Sequence, residues 1–267
     1  FAPLGFAETP SLKRSNAFDI VGGECRAVRE NVGLLDITGF SRFEVSGPNA
    51  EAWLTGVFAT KLPAPGRARL AVALGHDGRL KGDLTLFNWG DGTWWIMGSY
   101  YLRRWHMRWF DDHIQDGVTI RDLGEEMAGF SLSGPNSRAV IERLTDGPVG
   151  DLSFMGCGNF DIGLIRAKVG RLSVTGEAGY EISCRMGDHI ALRRMLLEAG
   201  ADLGISEYGF NALLSLRLEK SYGIWSAEFT QGYTPGMTGM DRWIDWNKEA
   251  FVGREAALAE RDGNCLL

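Results

Sequence analysis

The sequence predicts an α+β protein built around two related strand–turn–helix units, and two observations predict it. Stretches with strand periodicity and stretches with helix periodicity alternate along the chain with hairpins among them, unlike the regular strand–helix order of a doubly wound parallel sheet. Within that mixture one pattern occurs twice, 87 residues apart from Ser46 to Ser133: Phe43-Glu44-Val45-Ser46-Gly47-Pro48-Asn49-Ala50 and Phe130-Ser131-Leu132-Ser133-Gly134-Pro135-Asn136-Ser137. In each copy an alternating strand ends at glycine. Proline is expected at the first helical position, where its missing N–H costs nothing, and an amphipathic helix follows over 49–57 or 136–144. The period is too long for a solenoid and suits two related units within one body.

Residues 25–32 read as a short helix, and 33–45 as strand, turn and strand. The runs 70–74 and 80–87 form a hairpin about His76-Asp77-Gly78, where Asp-Gly supplies the tight turn. A strand follows at 93–97, then a helix over 102–114 whose stripe of Leu102, Trp105, His106 and Trp109 reads as core. Arg103, Arg104 and Arg108 read as its solvated face. Residues 163–174 and 180–184 have strand character, and 189–199 and 208–220 helical character. The chain opens on Phe1 and closes on Asp262-Gly263-Asn264-Cys265-Leu266-Leu267, a turn signal and the first residues of another strand, so both ends read as cut from something longer. The expected division is 1–125 as a first subdomain with an N-terminal extension, 126–250 as a second, and 251–267 as the start of a truncated C-terminal domain.

Composition limits the function classes. With 267 residues, 45% hydrophobic and 23% charged, the chain is globular rather than disordered or fibrous. Net charge is -6 and the pI about 5.3, the wrong sign for a nucleic-acid backbone or an anionic membrane, so neither is expected as a partner. No apolar run approaches the ~18–20 residues of a membrane helix, and no export signal is visible. The cysteines Cys25, Cys157, Cys184 and Cys265 are isolated, without C-x-x-C spacing or a histidine close enough for a zinc site. Free thiols and no metal are expected, in a reducing, cytoplasmic setting. P-loop and G-x-G-x-x-G patterns are absent, which removes the common nucleotide-phosphate cradles.

Three segments carry a resemblance: Gly78-Arg79-Leu80-Lys81-Gly82-Asp83-Leu84-Thr85-Leu86; Val174-Thr175-Gly176-Glu177-Ala178-Gly179-Tyr180-Glu181-Ile182; and Ser215-Leu216-Arg217-Leu218-Glu219-Lys220 followed by Thr234-Pro235 and Phe251-Val252-Gly253-Arg254-Glu255-Ala256. In this order the chain resembles the tetrahydrofolate-dependent aminomethyltransferases, the T-protein of the glycine cleavage system and its relatives. It is most similar to the folate-binding C-terminal half of dimethylglycine and sarcosine dehydrogenases. Supporting that choice are Arg14-Ser15-Asn16 through Glu24-Cys25-Arg26, Val32-Gly33-Leu34-Leu35-Asp36, and Trp225 five residues after Lys220. The resemblance implies a T-protein-like folate-binding fold, with two related α+β subdomains and the usual C-terminal barrel domain absent from this chain. It also implies a covalently linked upstream domain that carries FAD.

By the resemblance, Asp83 is the catalytic carboxylate near the reactive folate nitrogens; an anion there stabilises a cationic one-carbon electrophile in a dry site. The bland alternative is an aspartate that closes the hairpin. Glu181 matches the glutamate that grips the pterin, whose adjacent N–H donors suit one carboxylate in fork geometry. Tyr180, Val174 and Arg217 complete the implied cofactor contacts. Arg217 and Glu219 are two apart on a helix and face different ways, so both read mainly as structural ion-pair partners. Val174, Leu213 and Met237 depart from the T-proteins, which carry Tyr, Arg and Glu there.

The implied function is a tetrahydrofolate-binding one-carbon transfer domain that forms 5,10-methylenetetrahydrofolate from formaldehyde or the iminium of a small methylated amine. A folate-dependent demethylase of a sulfonium or aryl methyl ether, and a non-catalytic folate-binding module, stand as alternatives.

Overall fold

The computed structural model describes residues 6–225 and 227–261, so the turn and strand expected over 262–267 lie outside the described residues. In chain order the elements are α1 (Phe18–Glu30), β1 (Val32–Asp36), β2 (Ser41–Ser46), α2 (Ala50–Val57), β3 (Arg67–Leu74), β4 (Leu80–Asn88), β5 (Trp94–Gly98), α3 (Arg103–Asp111) and β6 (Thr119–Asp122). There follow β7 (Met127–Ser133), α4 (Ser137–Glu142), β8 (Cys157–Ile162), β9 (Ile165–Gly170), β10 (Gly179–Arg185), α5 (His189–Ala199), β11 (Ile205–Glu207), α6 (Phe210–Glu219), α7 (Pro235–Thr238) and α8 (Arg254–Ala259).

The chain folds as two compact units, one formed by the chain up to Thr38 with Glu126–Tyr222, the other by Gly39–Glu125 with the chain from Gly223 onward. This grouping shares the cut at 125/126 with the contiguous subdomains expected from the sequence. It differs in exchanging the two terminal segments, because β1 pairs with β7 and β11 in the first unit's sheet.

The repeat extends well beyond its eight-residue signature. Both copies run strand, helix, hairpin, strand, helix, strand: β2-α2-β3-β4-β5-α3-β6 and β7-α4-β8-β9-β10-α5-β11. The sheet orders correspond as well, β3-β4-β5-β2-β6 against β8-β9-β10-β7-β1-β11, with β1 inserted between β7 and β11. At each signature the proline is not the first helical residue. Ala50 N donates to Gly47 O at 3.1 Å and Ser137 N to Gly134 O at 3.0 Å, so Pro48 and Pro135 occupy the second position of a tight turn, where the ring's fixed φ is already correct. The asparagine amides then tie each turn to a distant loop, Asn49 Nδ2 to Asp116 O at 2.8 Å and Asn136 Nδ2 to Leu203 O at 3.0 Å.

Gly134 has φ +133°, and a Cβ there would lie 2.6 Å from the carbonyl oxygens of both Asn31 and Val28. Gly134→Ala is therefore expected to destabilise the first unit by about 2–4 kcal/mol, combining backbone strain with a steric clash. Gly23 in α1 has nothing within 4 Å of a built Cβ, so Gly23→Ala is expected to be neutral or stabilising by up to ~1 kcal/mol. Urea denaturation followed by far-UV circular dichroism checks the opposite signs.

Each sheet has two chemically different faces. In the first unit, Leu34, Phe130, Leu132, Tyr180, Ile182, Leu192 and Leu196 form an apolar core on the face covered by α4 and α5. The opposite face presents Gly33, Ser131, Ser133, Glu181 and Ser183, and Gly33 admits α1 and Tyr208 closely: a Cβ would meet Val28 Cγ2 at 2.5 Å and the Tyr208 ring at 2.7 Å. The second unit has apolar clusters on both sides of its sheet, one around Phe43, Trp53, Leu84, Leu86 and Phe110, the other around Val72, Leu74, Leu80, Trp225, Ile244 and Phe251. All nine tryptophans belong to this unit, so intrinsic fluorescence reports on it alone.

The strand expected over 163–174 is a correction. Gly163, at φ +56°, and Leu164 make the turn of the β8–β9 hairpin, and the strand beyond ends at Gly170. Strands β6, β8 and β11 lie outside every stretch read as strand. They are short or rich in Gly, Asn and Asp, and their partners rather than their propensities hold them extended. Arg103 is not simply solvated: its Nε donates to Asp122 at 2.6 Å and its Nη1 to Glu125 at 3.0 Å.

Candidate active site

The two carboxylates singled out by the sequence belong to different units, Asp83 to the second and Glu181 to the first. Asp83 lies on β4, opposite Val72 of β3, where alternation buries Gly82 and Leu84 and leaves Asp83 half-buried on the other face. The backbone N–H of Trp225 donates to Asp83 Oδ2 at 3.0 Å, while the Trp225 indole Nε1 donates to Leu80 O at 3.1 Å. Leu80 N in turn donates to Tyr233 O at 3.0 Å. The carboxylate is thus held by the backbone of a segment more than a hundred residues away in sequence.

His106 lies close behind this strand. Only 1% exposed, it packs its ring 5.1 Å from Trp105 and 5.9 Å from Trp225 and points Nε2 at Lys81 O, 3.2 Å away. A carbonyl only accepts, so Nε2 carries a proton. Burial pushes the imidazole down to about 4, partly opposed by that backbone bond. Between the ordinary histidine value and about 4, the unfolded chain takes up a proton that the folded ring refuses. Stability contributed by the neutral ring is therefore present at pH 7 and is lost as pH falls from about 6.5 to about 4, by roughly 3 kcal/mol. The difference between native and His106→Gln in urea unfolding at pH 7.5 and pH 4.5, read by tryptophan fluorescence, is expected to shrink by that amount at the lower pH.

Glu181 is 8% exposed, on the polar face of β10, opposite Ser131 of β7 and Gly170 of β9. A chain of hydroxyls shares the face: Ser131 to Ser133 at 3.2 Å, Ser133 to Ser173 at 3.1 Å, and Ser173 to Thr175 at 2.7 Å. Tyr208 joins it. Its phenol is pushed above its ordinary value chiefly by burial, with the Ser133 and Ser131 hydroxyls pulling it down and the Glu181 carboxylate pushing it up. Carboxylate, serines and phenol together make a buried surface rich in acceptors.

The remaining expected contacts are distributed differently. Tyr180 is adjacent to Glu181 but on the opposite face, in the apolar core, because successive strand residues point opposite ways. Val174 is half-buried in the turn that precedes β10, next to Ser173 and Thr175. Arg217, 4% exposed, donates from Nη1 to Tyr222 O at 2.9 Å while Tyr222 N donates to Arg217 O at 3.0 Å, closing the turn after α6. Glu219 pairs instead with Arg29 of α1. Reading the sequence missed the roles of His106, Tyr208 and the hydroxyl chain. For Ser131 and Ser133 a signal existed, since polar residues alternate with Phe130 and Leu132 on a strand otherwise read as buried. For His106, reading Leu102, Trp105, His106 and Trp109 as a core stripe concealed the bond to Lys81 O, and Tyr208 reads as the start of a helix that begins at Phe210.

Among the described residues no helix is long and apolar enough to cross a membrane. The GCVT N-terminal domain family matches residues 2–248. Mouse mitochondrial dimethylglycine dehydrogenase is 30% identical over 253 residues, 92% of this chain, and an aminomethyltransferase of Bacillus subtilis is 28% identical over 250 residues. The chain spans 29% of the length of that dehydrogenase and 69% of that aminomethyltransferase. The crystal structure of the glycine cleavage system aminomethyltransferase T from Bartonella henselae superposes with a TM-score of 0.83 at 23% identity, over 92% of this chain and 67% of that one. The mixed α/β architecture with two sheets is the fold shared with that crystal structure. A match across residues 2–248, together with this shared fold, shows that the chain belongs to the GCVT N-terminal domain family, as an aminomethyltransferase-like domain related to dimethylglycine dehydrogenase.

Proposed function

We propose that this chain is the tetrahydrofolate-binding, one-carbon transfer part of a dimethylglycine or sarcosine dehydrogenase-like enzyme, forming 5,10-methylenetetrahydrofolate from formaldehyde or an iminium derived from a methylated amine. The observation that carries the reading is the buried Glu181 carboxylate among the hydroxyls of Ser131, Ser133 and Tyr208. A buried carboxylate set beside hydroxyls is a polar recognition surface, and the aminopyrimidine edge of a pterin brings adjacent N–H groups that suit it. The donor set therefore fits the folate that the family resemblance implies.

When bound, tetrahydrofolate supplies the nucleophilic nitrogens. Glu181 would hold and orient the pterin end through its two acceptor oxygens. Asp83, anchored by Trp225, would stabilise positive charge on the one-carbon unit and take up a proton that the transfer releases. Val174 would line the pterin end, and Arg217 closes the turn after α6. Tyr180 contributes by fixing β10 in the core. The oxidation that generates the electrophile belongs to a linked flavin domain, a partnership supported by the chain's match to under a third of a dehydrogenase. Cys25, Cys157 and Cys184 are not joined in disulfides, which suits a reducing cytoplasmic setting.

Anaerobic calorimetry with tetrahydrofolate tests the reading. Binding in the micromolar range is expected. A folded protein, full-length chain included, with no heat of binding at ~100 µM ligand would sink it.

A further inference from the structure

Among the described residues, Asp83 sits on a stretch of β4 whose ladder is paired on one side only. Strand β5 pairs with β4 from Thr85↔Met97 to Asn88↔Trp94 and goes no further, so residues 80–84 have no ladder partner on that side. On the other side the β3–β4 ladder slips: Ala73 faces Gly82 but Leu74 faces Leu80. Lys81 is the extra residue, and a bulge of this kind frees a backbone carbonyl and re-aims the side chains that follow. His106 of α3 donates to the Lys81 carbonyl, 3.2 Å from Nε2. The same ring packs 5.9 Å from the Trp225 ring, and Trp225 supplies the backbone N–H that holds Asp83 Oδ2. Gly82 is part of the arrangement, since a Cβ there would lie 2.9 Å from His106 Nε2.

The other nitrogen of His106 has no hydrogen-bond partner among the described residues, although it is buried. An orphaned buried acceptor costs about 1–3 kcal/mol, and a phenylalanine would pack in the same aromatic site without that cost. What the imidazole adds over an apolar ring is one N–H bond to a bulged carbonyl two residues before Asp83.

We propose that His106 is the positioning residue of the Asp83 carboxylate: its Nε2–H fixes the bulge at Lys81 and, through contact with Trp225, sets where the carboxylate is presented. This rests on the functional reading above only for its consequence in turnover; the geometric claim stands without it. His106 acts through the backbone and touches neither reactant.

Three variants separate ring packing from the hydrogen bond. His106→Phe keeps a ring and loses the donor; His106→Gln keeps a donor and loses the ring; Gly82→Ala leaves His106 in place and crowds Nε2. The first readout is hydrogen exchange of the Trp225 amide, which is slow while that N–H is bound to Asp83. Exchange is expected to quicken about tenfold or more in His106→Phe and Gly82→Ala, with β5 core amides unchanged, and to return most of the way to native in His106→Gln. The second readout is the enzyme's tetrahydrofolate-dependent capture of formaldehyde, where kcat is expected to fall about tenfold in His106→Phe with KM for tetrahydrofolate within about twofold, again rescued by His106→Gln. Native exchange at Trp225 in folded His106→Phe overturns the proposal, as does equal loss in Phe and Gln variants. If His106→Phe does not fold, Gly82→Ala decides alone. Altered exchange with turnover insensitive to both His106→Phe and Asp83→Asn overturns instead the catalytic reading of Asp83.

Discussion

Asp83→Asn is expected to lower kcat for one-carbon transfer by about 100-fold or more while changing tetrahydrofolate affinity less than about threefold. The substitution removes a charge and a proton acceptor and changes little else. An asparagine oxygen still accepts from Trp225 N–H, so the short segment of β4 that runs from the bulge to Thr85 keeps its anchor. The loss then falls on the transition state, where positive carbon approaches and a proton must leave, rather than on ligand binding. Asp83→Ala provides the contrast. It also leaves Trp225 N–H without its acceptor, so it is expected to cost about 1 kcal/mol of stability in the second unit in addition to the same catalytic loss. Stopped-flow measurement of formaldehyde capture above the uncatalysed background, beside fluorescence-monitored unfolding, separates the two. Native turnover in Asp83→Asn would return this residue to a hairpin aspartate.

The sequence displayed the parts of the fold that depend on local chemistry. Ser-Gly-Pro-Asn at 46–49 and 133–136 marks where a strand ends and a helix begins in each copy, although the proline sits in the tight turn ahead of the helix rather than at its first position. The hairpin at Asp77-Gly78 and the helix at 189–199 rest likewise on turn chemistry and a sustained apolar face. What stayed hidden depends on partners distant in sequence. The strand Cys157–Ile162, with Gly158, Asn159 and Asp161, forms because Ile165–Gly170 pairs with it. The exchange of terminal segments between units depends on parallel pairing of Val32 with Ile205, which no local pattern announces. At the site the same division holds. Asp83 stands out as a charge opening an apolar strand, which asks for a reason, while Glu181 is picked out by the resemblance. His106 looks like one more core residue in a stripe of Leu102, Trp105 and Trp109, and only the slipped register at Lys81 gives its nitrogen something to do.

Glu181→Ala is expected to weaken tetrahydrofolate binding by about 100-fold, corresponding to roughly 3 kcal/mol, the scale of two charge-assisted hydrogen bonds made in a buried site. The unliganded protein is expected to change stability much less, within about 1 kcal/mol. Removing the carboxylate relieves the desolvation of a group only 8% exposed, and this offsets the packing lost when the side chain is shortened. Thermal melting makes the distinction directly. Ligand that binds only the folded state stabilises by RT ln(1 + [L]/Kd), so at 100 times the native Kd the native protein gains about 2.7 kcal/mol and the variant less than about 0.5. Glu181→Gln sharpens the test. Its amide offers one acceptor and one donor where the fork requires two acceptors, so it is expected to bind nearly as poorly as Ala while filling the same volume. If Gln binds like the native protein, the hydroxyls of Ser131, Ser133 and Tyr208 rather than the charge hold the ligand. The expected effect would then move to Tyr208→Phe, which deletes one hydroxyl from a ring that is fully buried against Gly33 and keeps its packing.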